Sequence, residues 1–283
     1  MAPVQHTGSP LTIAENGAAW IAVPEWSAFD WLWHGFSTRR GGVSRVYLPE
    51  NAGEDDIAGE LNLGFTSADL PENVRENRLR FVDAATGSRE TPLAAVRQVH
   101  SNRSVVVCVD PAETTGTVSE ADGMMTAEPG VLLGIQTADC IPVLVADPVK
   151  RAIAAFHAGW RGTVERIVEL GVARMAQEFG SDPADLFAAI GPGIGSCCYT
   201  VGDEVLGRFD ANFSYADQLF LRSGDDLRLD LTEANRRQLL SAGLAANAIA
   251  AVGGCTACQP ELFYSHRASA GHAGRMMAVI GIL

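Results

Sequence analysis

The segment that most restricts the fold runs from Gln136 to Gly162, "QTADCIPVLVADPVKRAIAAFHAGWRG". It contains two continuous apolar runs, "CIPVLVAD" and "AIAAFHA", joined by turn residues around Ala146 to Lys150. A strand that is apolar at nearly every position, not at alternate ones, is covered on both faces. Antiparallel pairing through the short "ADPVKR" turn would make these runs a hairpin. A hairpin covered on both faces demands further layers on either side.

The rest of the chain can supply them. "RSVVVCVD", "GVLLGIQ", "DLFAAIG" and the closing "RMMAVIGIL" also read as strands. In "TVERIVELGVARMAQEFG", Val164, Ile167, Val168, Val172, Met175 and Phe179 fall on one helical stripe that stops at Gly180. "LTEANRRQLLSAG" follows Asp230 as an N-cap and ends at Gly243, and "PENVRENRLRFVDAATG" is a third helix. "LFLRSGDDLRLDL" reads as a hairpin around Gly224, and charge-rich "ENAGEDDIAGE" (Glu50 to Glu60) as a solvated surface loop. The expectation is an α/β (α+β) protein with mixed β-sheets flanked by helices. It forms a single layered domain over residues 31–283, with residues 1–30 as an N-terminal extension of the same domain.

The 34 acidic and 21 basic side chains give a net charge of −13. Such a body repels polyanions, so neither nucleic acid nor an anionic membrane is expected as a partner. A small anionic substrate can still be held where arginines gather. The first 30 residues show no basic segment followed by an apolar one, and no apolar run is long enough to span a bilayer. The expected location is the cytoplasm. Six cysteines in 283 residues do not make a disulfide scaffold. Cys197 and Cys198 are adjacent, with little room for a disulfide between them. Cys255 and Cys258 form one CxxC, whereas a structural zinc site usually draws on two such pairs. With Cys108, these four are expected to be reduced thiols.

Cys140 opens the first strand of the hairpin and His157 lies near the end of the second, so antiparallel pairing would bring both to one rim. His100, in "VRQVHSNRSVVVCVD", stands at the lip of another strand. Cys, His and His make a three-ligand metal set, and three protein ligands with an open position is the catalytic zinc arrangement. The spacing equally allows three isolated rim residues.

The ordered motifs "GFSTRRGGVS", "NLG", "ENR", "RQVHSNR", "EADGMMT", "TADCIPVLVAD", "AFHAGWRG", "AAIGPGIGSCCYTVG", "LDLTEANRRQL" and "CTACQPELFYSHR…GR" extend from about Trp33 to the C-terminus. In them the chain resembles the laccase-domain family, also called the multicopper polyphenol oxidase, YfiH or peptidoglycan-editing-factor family. The resemblance implies a single layered α/β domain and a zinc site with His100, Cys140 and His157 as ligands and catalytic centre. It implies phosphorolysis of adenosine, inosine, guanosine and methylthioadenosine, and deamination of adenosine. Copper-dependent polyphenol oxidation and peptidoglycan editing are also attached to the family. Six histidines and no HxH pair cannot build a multicopper cluster. A single Cu2+ could take the place of Zn2+ at a His-Cys-His site, so zinc-assisted nucleoside chemistry leads. A cysteine nucleophile acting on a cell-wall precursor is the alternative enzyme, and a non-enzymatic partner-binding protein is the third reading.

Deamination needs a water of lowered pKa and a proton shuttle, for which Asp139 is the candidate. Phosphorolysis needs guanidinium groups around phosphate. The candidates are Arg39 and Arg40 beside Gly41 and Gly42, Arg78, and Arg161, with backbone N–H groups from the start of the helix at Thr163. Asn62 could hydrogen-bond the purine or ribose. "GPGIGSCCYTVG" lacks dinucleotide or P-loop spacing and reads as a tight loop near the pocket wall. Tyr264, Ser265 and His266 are placed at the mouth, and His272 on the surface.

Overall fold

The computed structural model describes residues 11–48, 59–108 and 119–283. The hairpin is formed as its sequence demands. Strands Ile141–Asp147 and Ala152–Ala158 pair antiparallel, and every residue of both is buried. Their turn is fixed by Asp147, whose Oδ1 accepts the N–H groups of Val149 and Lys150, each at 2.8 Å.

This hairpin is the middle of a six-stranded sheet. Phe187–Ile190 flanks it on one side and is followed by parallel Ile249–Ala251, while Gly123–Thr126 and then Ser104–Val106 extend the other side. A second six-stranded sheet is centred on Met276–Ile282, which pairs antiparallel with Leu32–Ser37 and Leu132–Thr137. Leu11–Ile13 and Ala19–Ile21 complete one edge and Leu93–Ala94 the other.

Alternation along the strands now sorts the apolar residues. Leu144, Ala146, Ile153 and Ala155 pack with Leu133, Ile135, Ala278 and Ile280 between the two sheets. Val143, Val145, Ala154 and Phe156 point the other way, onto Val168, Val172 and Met175 of helix Ile167–Phe179 and Leu239 of helix Leu231–Ser241. Met277 and Val279 of the second sheet meet Phe81 and Val82 of helix Pro71–Thr86. The result is four layers: helix, sheet, sheet, helices. Each large side chain so buried contributes about 1.5–3 kcal/mol relative to exposure. The mixed α/β class expected from the pattern is the class observed.

Three local expectations are corrected. The helix read from Thr163 to Gly180 is two helices, Trp160–Val164 and Ile167–Phe179, separated at Arg166 with φ 62°. Buried polar groups of the neighbouring helix hold the break: Gln238 Nε2 donates to the Thr163 carbonyl (2.6 Å) and Asn235 Nδ2 to Thr163 Oγ1 (3.2 Å). The loop read from Glu50 to Glu60 lies largely outside the described residues. At its end, Gly59–Glu60 is a strand paired with Arg40–Gly42, and Glu60 is buried. Tyr264 and Ser265 are likewise buried, not at a mouth. Tyr264 donates its hydroxyl to Glu60 Oε2 at 3.2 Å.

Candidate metal centre and active site

Register brings the first two site residues together. Ile141 faces Ala158 and Pro142 faces His157, so Cys140 and His157 share one rim of the sheet. His100 arrives on the turn 99–101 with φ 60°. That turn is wrapped around the carboxylate of Asp122, which accepts the N–H groups of Val99 (3.2 Å), His100 (3.0 Å) and Ser101 (2.7 Å) and the Ser101 hydroxyl (2.8 Å). The same carboxylate lies 2.8 Å from His157 Nδ1, and the Asp122 carbonyl accepts the His157 N–H at 2.7 Å. One fully buried aspartate thus sets two of the three histidine and cysteine positions. An ionised carboxylate only accepts, so Nδ1 of His157 donates and its Nε2 is turned to the rim.

The ligand atoms of His100, Cys140 and His157 all lie within 4.8 Å of one another. Cys140 Sγ is 3.9 Å from His100 Nε2, and the two imidazole rings stand 4.9 Å apart at 73°. Tetrahedral zinc with bonds of ~2.0–2.1 Å to nitrogen and ~2.3 Å to sulfur holds such atoms ~3.6 Å apart. The residues therefore fit a metal with little movement. Gly159 makes room for them: a Cβ there would stand 2.9 Å from Cys140 Sγ and 3.1 Å from the His100 ring.

The electrostatics of the metal-free site follow from the same contacts. Burial alone would push the Cys140 thiol up, but the charge of His157 and hydrogen bonds from His100 and His157 bring it down to about 6. Burial would push His157 down, but Cys140 and Asp122 raise it to about 9. Burial would raise Asp122, yet the bonds from His157 and Ser101 hold it at about 2. A thiolate, an imidazolium and a carboxylate stand in line, and metal binding would displace the imidazolium proton.

This rim opens into a cleft of about 460 Å³ whose walls include Phe65, Arg97, Gln98, Gln136, His266 and Arg275. Sequence reasoning placed His266 here and missed Arg275, although it lies in the final "GR". It also missed Asp122, whose role becomes visible only once Gly123–Thr126 is paired with the His157 strand.

The remaining predicted groups are dispersed. Arg39 and Arg40 line a separate hollow of about 750 Å³. Arg39 pairs with Glu60 at 2.5 Å and donates to the Pro260 and Tyr47 carbonyls, while Arg40 donates to the Glu261 carbonyl. Asn62 is buried, with Nδ2 on Asp69 (2.7 Å) and Oδ1 accepting the N–H groups of Gly64 (3.1 Å) and Arg275 (2.8 Å). It anchors the Arg275 backbone instead of reaching the cleft. Arg78 donates to the Leu63 carbonyl and lies 4.7 Å over the Phe65 ring. Arg161 stacks 4.5 Å over Trp160. The helix carrying Thr163 starts at Trp160, and the Thr163 N–H is taken by the Gly159 carbonyl. Asp139, next to Cys140, has both oxygens engaged, by Thr256 Oγ1 (2.6 Å) and the Arg267 N–H (2.7 Å). The carboxylate is a loop anchor in this arrangement. Tyr199, of the glycine-rich loop, feels the charges of Cys140, Arg267, Asp139 and Arg161, which places that loop beside the site. His272 is exposed against Tyr47.

Comparison with known proteins agrees with this architecture. Residues 33–283 match the family model described as multi-copper polyphenol oxidoreductase laccase. The chain is 41% identical over 276 residues, 97% of its length and 94% of the relative's, to a purine nucleoside phosphorylase of Deinococcus radiodurans. It is 32% identical over 224 residues, 75% of its length and 85% of the relative's, to adenosine deaminase RL5 of an unknown prokaryotic organism. The crystal structure of Bacillus licheniformis hypothetical protein YfiH superposes with a TM-score of 0.83 at 33% identity, covering 97% of this chain and 99% of that one. The chain belongs to this laccase-like YfiH family.

Proposed function

We propose that this chain is a zinc-dependent purine nucleoside phosphorylase that also deaminates adenosine, with His100, Cys140 and His157 as ligands and catalytic centre. The observation that carries the reading is their convergence at the floor of the cleft, with His157 Nε2 turned to the rim by Asp122. The similarity to a purine nucleoside phosphorylase and to an adenosine deaminase supports it. Adenosine, inosine, guanosine and methylthioadenosine are the substrates, with phosphate as co-substrate.

His100, Cys140 and His157 would hold the zinc, which would supply a Lewis acid at the cleft. Arg275 and Arg97 stand on the cleft wall, Arg275 donating through Nη1 to the Ala273 and Gly274 carbonyls and Arg97 paired with Glu120, and their remaining N–H groups gather phosphate. Phe65, exposed and backed by Arg78, offers an apolar face to the purine. In phosphorolysis a phosphate oxygen bonds to C1′ as the glycosidic C–N bond breaks, and the purine leaves with the electron pair and takes up a proton. In deamination water adds at C6 and ammonia departs. His266, an imidazole of the cleft wall outside the metal set, exchanges those protons in this reading. The test is chromatography of each nucleoside with zinc-loaded protein, with and without phosphate. Phosphate-dependent base release and phosphate-independent inosine formation are expected. Inertness towards all four nucleosides would contradict the reading.

A second reading rests on the line Asp122–His157–Cys140, which is also the constellation of a cysteine nucleophile with its base and orienting acid. Such a hydrolase, acting on a peptidoglycan precursor, would be inhibited by zinc. Copper-dependent polyphenol oxidation stands behind both, because the site offers one thiolate and two imidazoles for a single ion.

A further inference from the structure

The two cysteine pairs that look unrelated in the sequence are neighbours in space. Strands Phe187–Ile190 and Ile249–Ala251 lie side by side and parallel, so the loops that follow them leave the same end of the sheet. A bridge between Gly193 and Cys255 continues the pairing, and the Thr256 N–H donates to the Gly193 carbonyl at 2.9 Å. One loop then presents Cys197 and Cys198 and the other presents Cys255 and Cys258. The four sulfurs lie within 4.8 Å of one another.

We propose that Cys197, Cys198, Cys255 and Cys258 form a second metal site, a zinc tetrathiolate that clips these two loops together. A structural zinc site takes four cysteines, and here the one CxxC is completed by the adjacent Cys197 and Cys198, which tertiary structure brings to it. Sulfurs at ~2.3 Å from a tetrahedral zinc stand ~3.8 Å apart. Cys258 Sγ lies 3.5 Å from Cys197 Sγ and 3.4 Å from Cys198 Sγ. Cys258 is thus shared nearly equally between two partners, as a central ion requires and a pairwise disulfide does not. Cys255 Sγ accepts the Gly195 N–H at 3.2 Å, a backbone contact of the kind that holds a ligating sulfur in place. Binding exchanges four S–H protons for one Zn2+ and leaves two negative charges. The guanidinium of Arg228, whose Nη1 is 3.2 Å from the Cys197 carbonyl, stands beside them.

The site is distinct from the cleft, since none of the four cysteines lines it, and it does not rest on the function proposed above. It acts on the cleft through position. Thr256, inside the CxxC, donates to Asp139, which precedes Cys140. Tyr199 follows Cys198, and Arg267 lies 5.2 Å over its ring while donating to the Thr200 carbonyl. Closing the clip fixes the segment from which Cys140 projects.

The experiment uses full-length protein isolated with zinc under reducing conditions and dialysed against a weak chelator. Metal is counted by mass spectrometry, cobalt-substituted protein is examined by absorption, and accessible thiols are titrated. Cys140→Ser, which impairs the first site and leaves these four thiols intact, is expected to keep about one zinc per chain. Its cobalt form should show the intense sulfur-to-cobalt bands of several thiolates, with Cys108 reacting promptly and four thiols reacting only on zinc release. Added to Cys140→Ser, Cys258→Ser and Cys197→Ser should each lose that retained metal, with far-ultraviolet circular dichroism reporting their fold. The proposal is overturned if Cys140→Ser retains no zinc while its four thiols react at once. It is also overturned if protein isolated under reducing conditions carries these cysteines as disulfides.

Discussion

His157 Nδ1 stands 2.8 Å from Asp122 Oδ1, and the other bonds of that carboxylate hold the turn carrying His100. One buried acid therefore fixes both imidazoles of the site. Replacing Asp122 by Asn keeps the shape and can keep some main-chain bonds, but removes the charge that orients His157. Zinc affinity is expected to fall about 10–100-fold, measured by competition with a chelating dye, with the far-ultraviolet spectrum unchanged.

The same acid makes the metal-free protein sensitive to low pH. Asp122 is held at about 2 in the folded state, below the ~3.9 of an unfolded aspartate. The unfolded chain thus binds more protons in between. The contribution of Asp122 is complete above pH ~4 and is lost as pH falls towards about 2, amounting to roughly 2 kcal/mol. Denaturant titrations of the metal-free protein at intervals across that window should show the decline, and Asp122→Asn should flatten it. An equal decline in the variant would assign the acid sensitivity to other carboxylates.

Gly159 is required by close approach. A methyl group at its Cα would press on Cys140 Sγ and the His100 ring. Gly159→Ala is expected to weaken zinc binding by about tenfold or more, the equivalent of ~1.4 kcal/mol of crowding. The thermal midpoint of the metal-free protein should change little. A drop in that midpoint with unaltered zinc affinity would place the strain elsewhere.

The hairpin and its two site residues were legible because continuous apolar runs on either side of a turn leave few alternatives. The observed register, with Ile141 opposite Ala158, is the one that pattern favours. His100 was legible as a lip residue, but the turn that brings it inward depends on Asp122, which reads in sequence as an ordinary acid before a strand. The break at Arg166 was hidden because the apolar stripe from Val164 to Phe179 keeps its period across it. The doubled arginine Arg39–Arg40 drew attention by its glycines. Its partners, Glu60, Pro260 and Glu261, come from segments that only tertiary structure delivers. The same limit kept Cys197 and Cys198 apart from Cys255 and Cys258.

That contrast gives a prediction for phosphate. Arg275 is on the wall of the cleft that holds His100, Cys140 and His157, its guanidinium bonded to neighbouring carbonyls, whereas Arg39 is ion-paired with Glu60 in the other hollow. Arg275→Ala should raise KM for phosphate by about tenfold or more, the loss of one charge-assisted contact, and leave deamination of adenosine less affected. Arg39→Ala should act mainly on stability, since it strands a buried glutamate. Steady-state kinetics with phosphate as the varied substrate, beside thermal melts, separates the two. An unchanged KM in Arg275→Ala with a raised one in Arg39→Ala would return phosphate to the other hollow.

The most direct test of the central claim is the metal dependence of adenosine turnover. Conversion to inosine and release of hypoxanthine are followed with protein as isolated, after chelation, and after zinc is restored, with the folded state checked at each stage. In the zinc account Cys140 is committed to the ion, so turnover is lost on chelation, returns with zinc, and iodoacetamide reacts slowly with Cys140 until the metal is removed. Turnover that survives verified zinc removal, or rises with it, would contradict the account and leave Cys140 as a nucleophile.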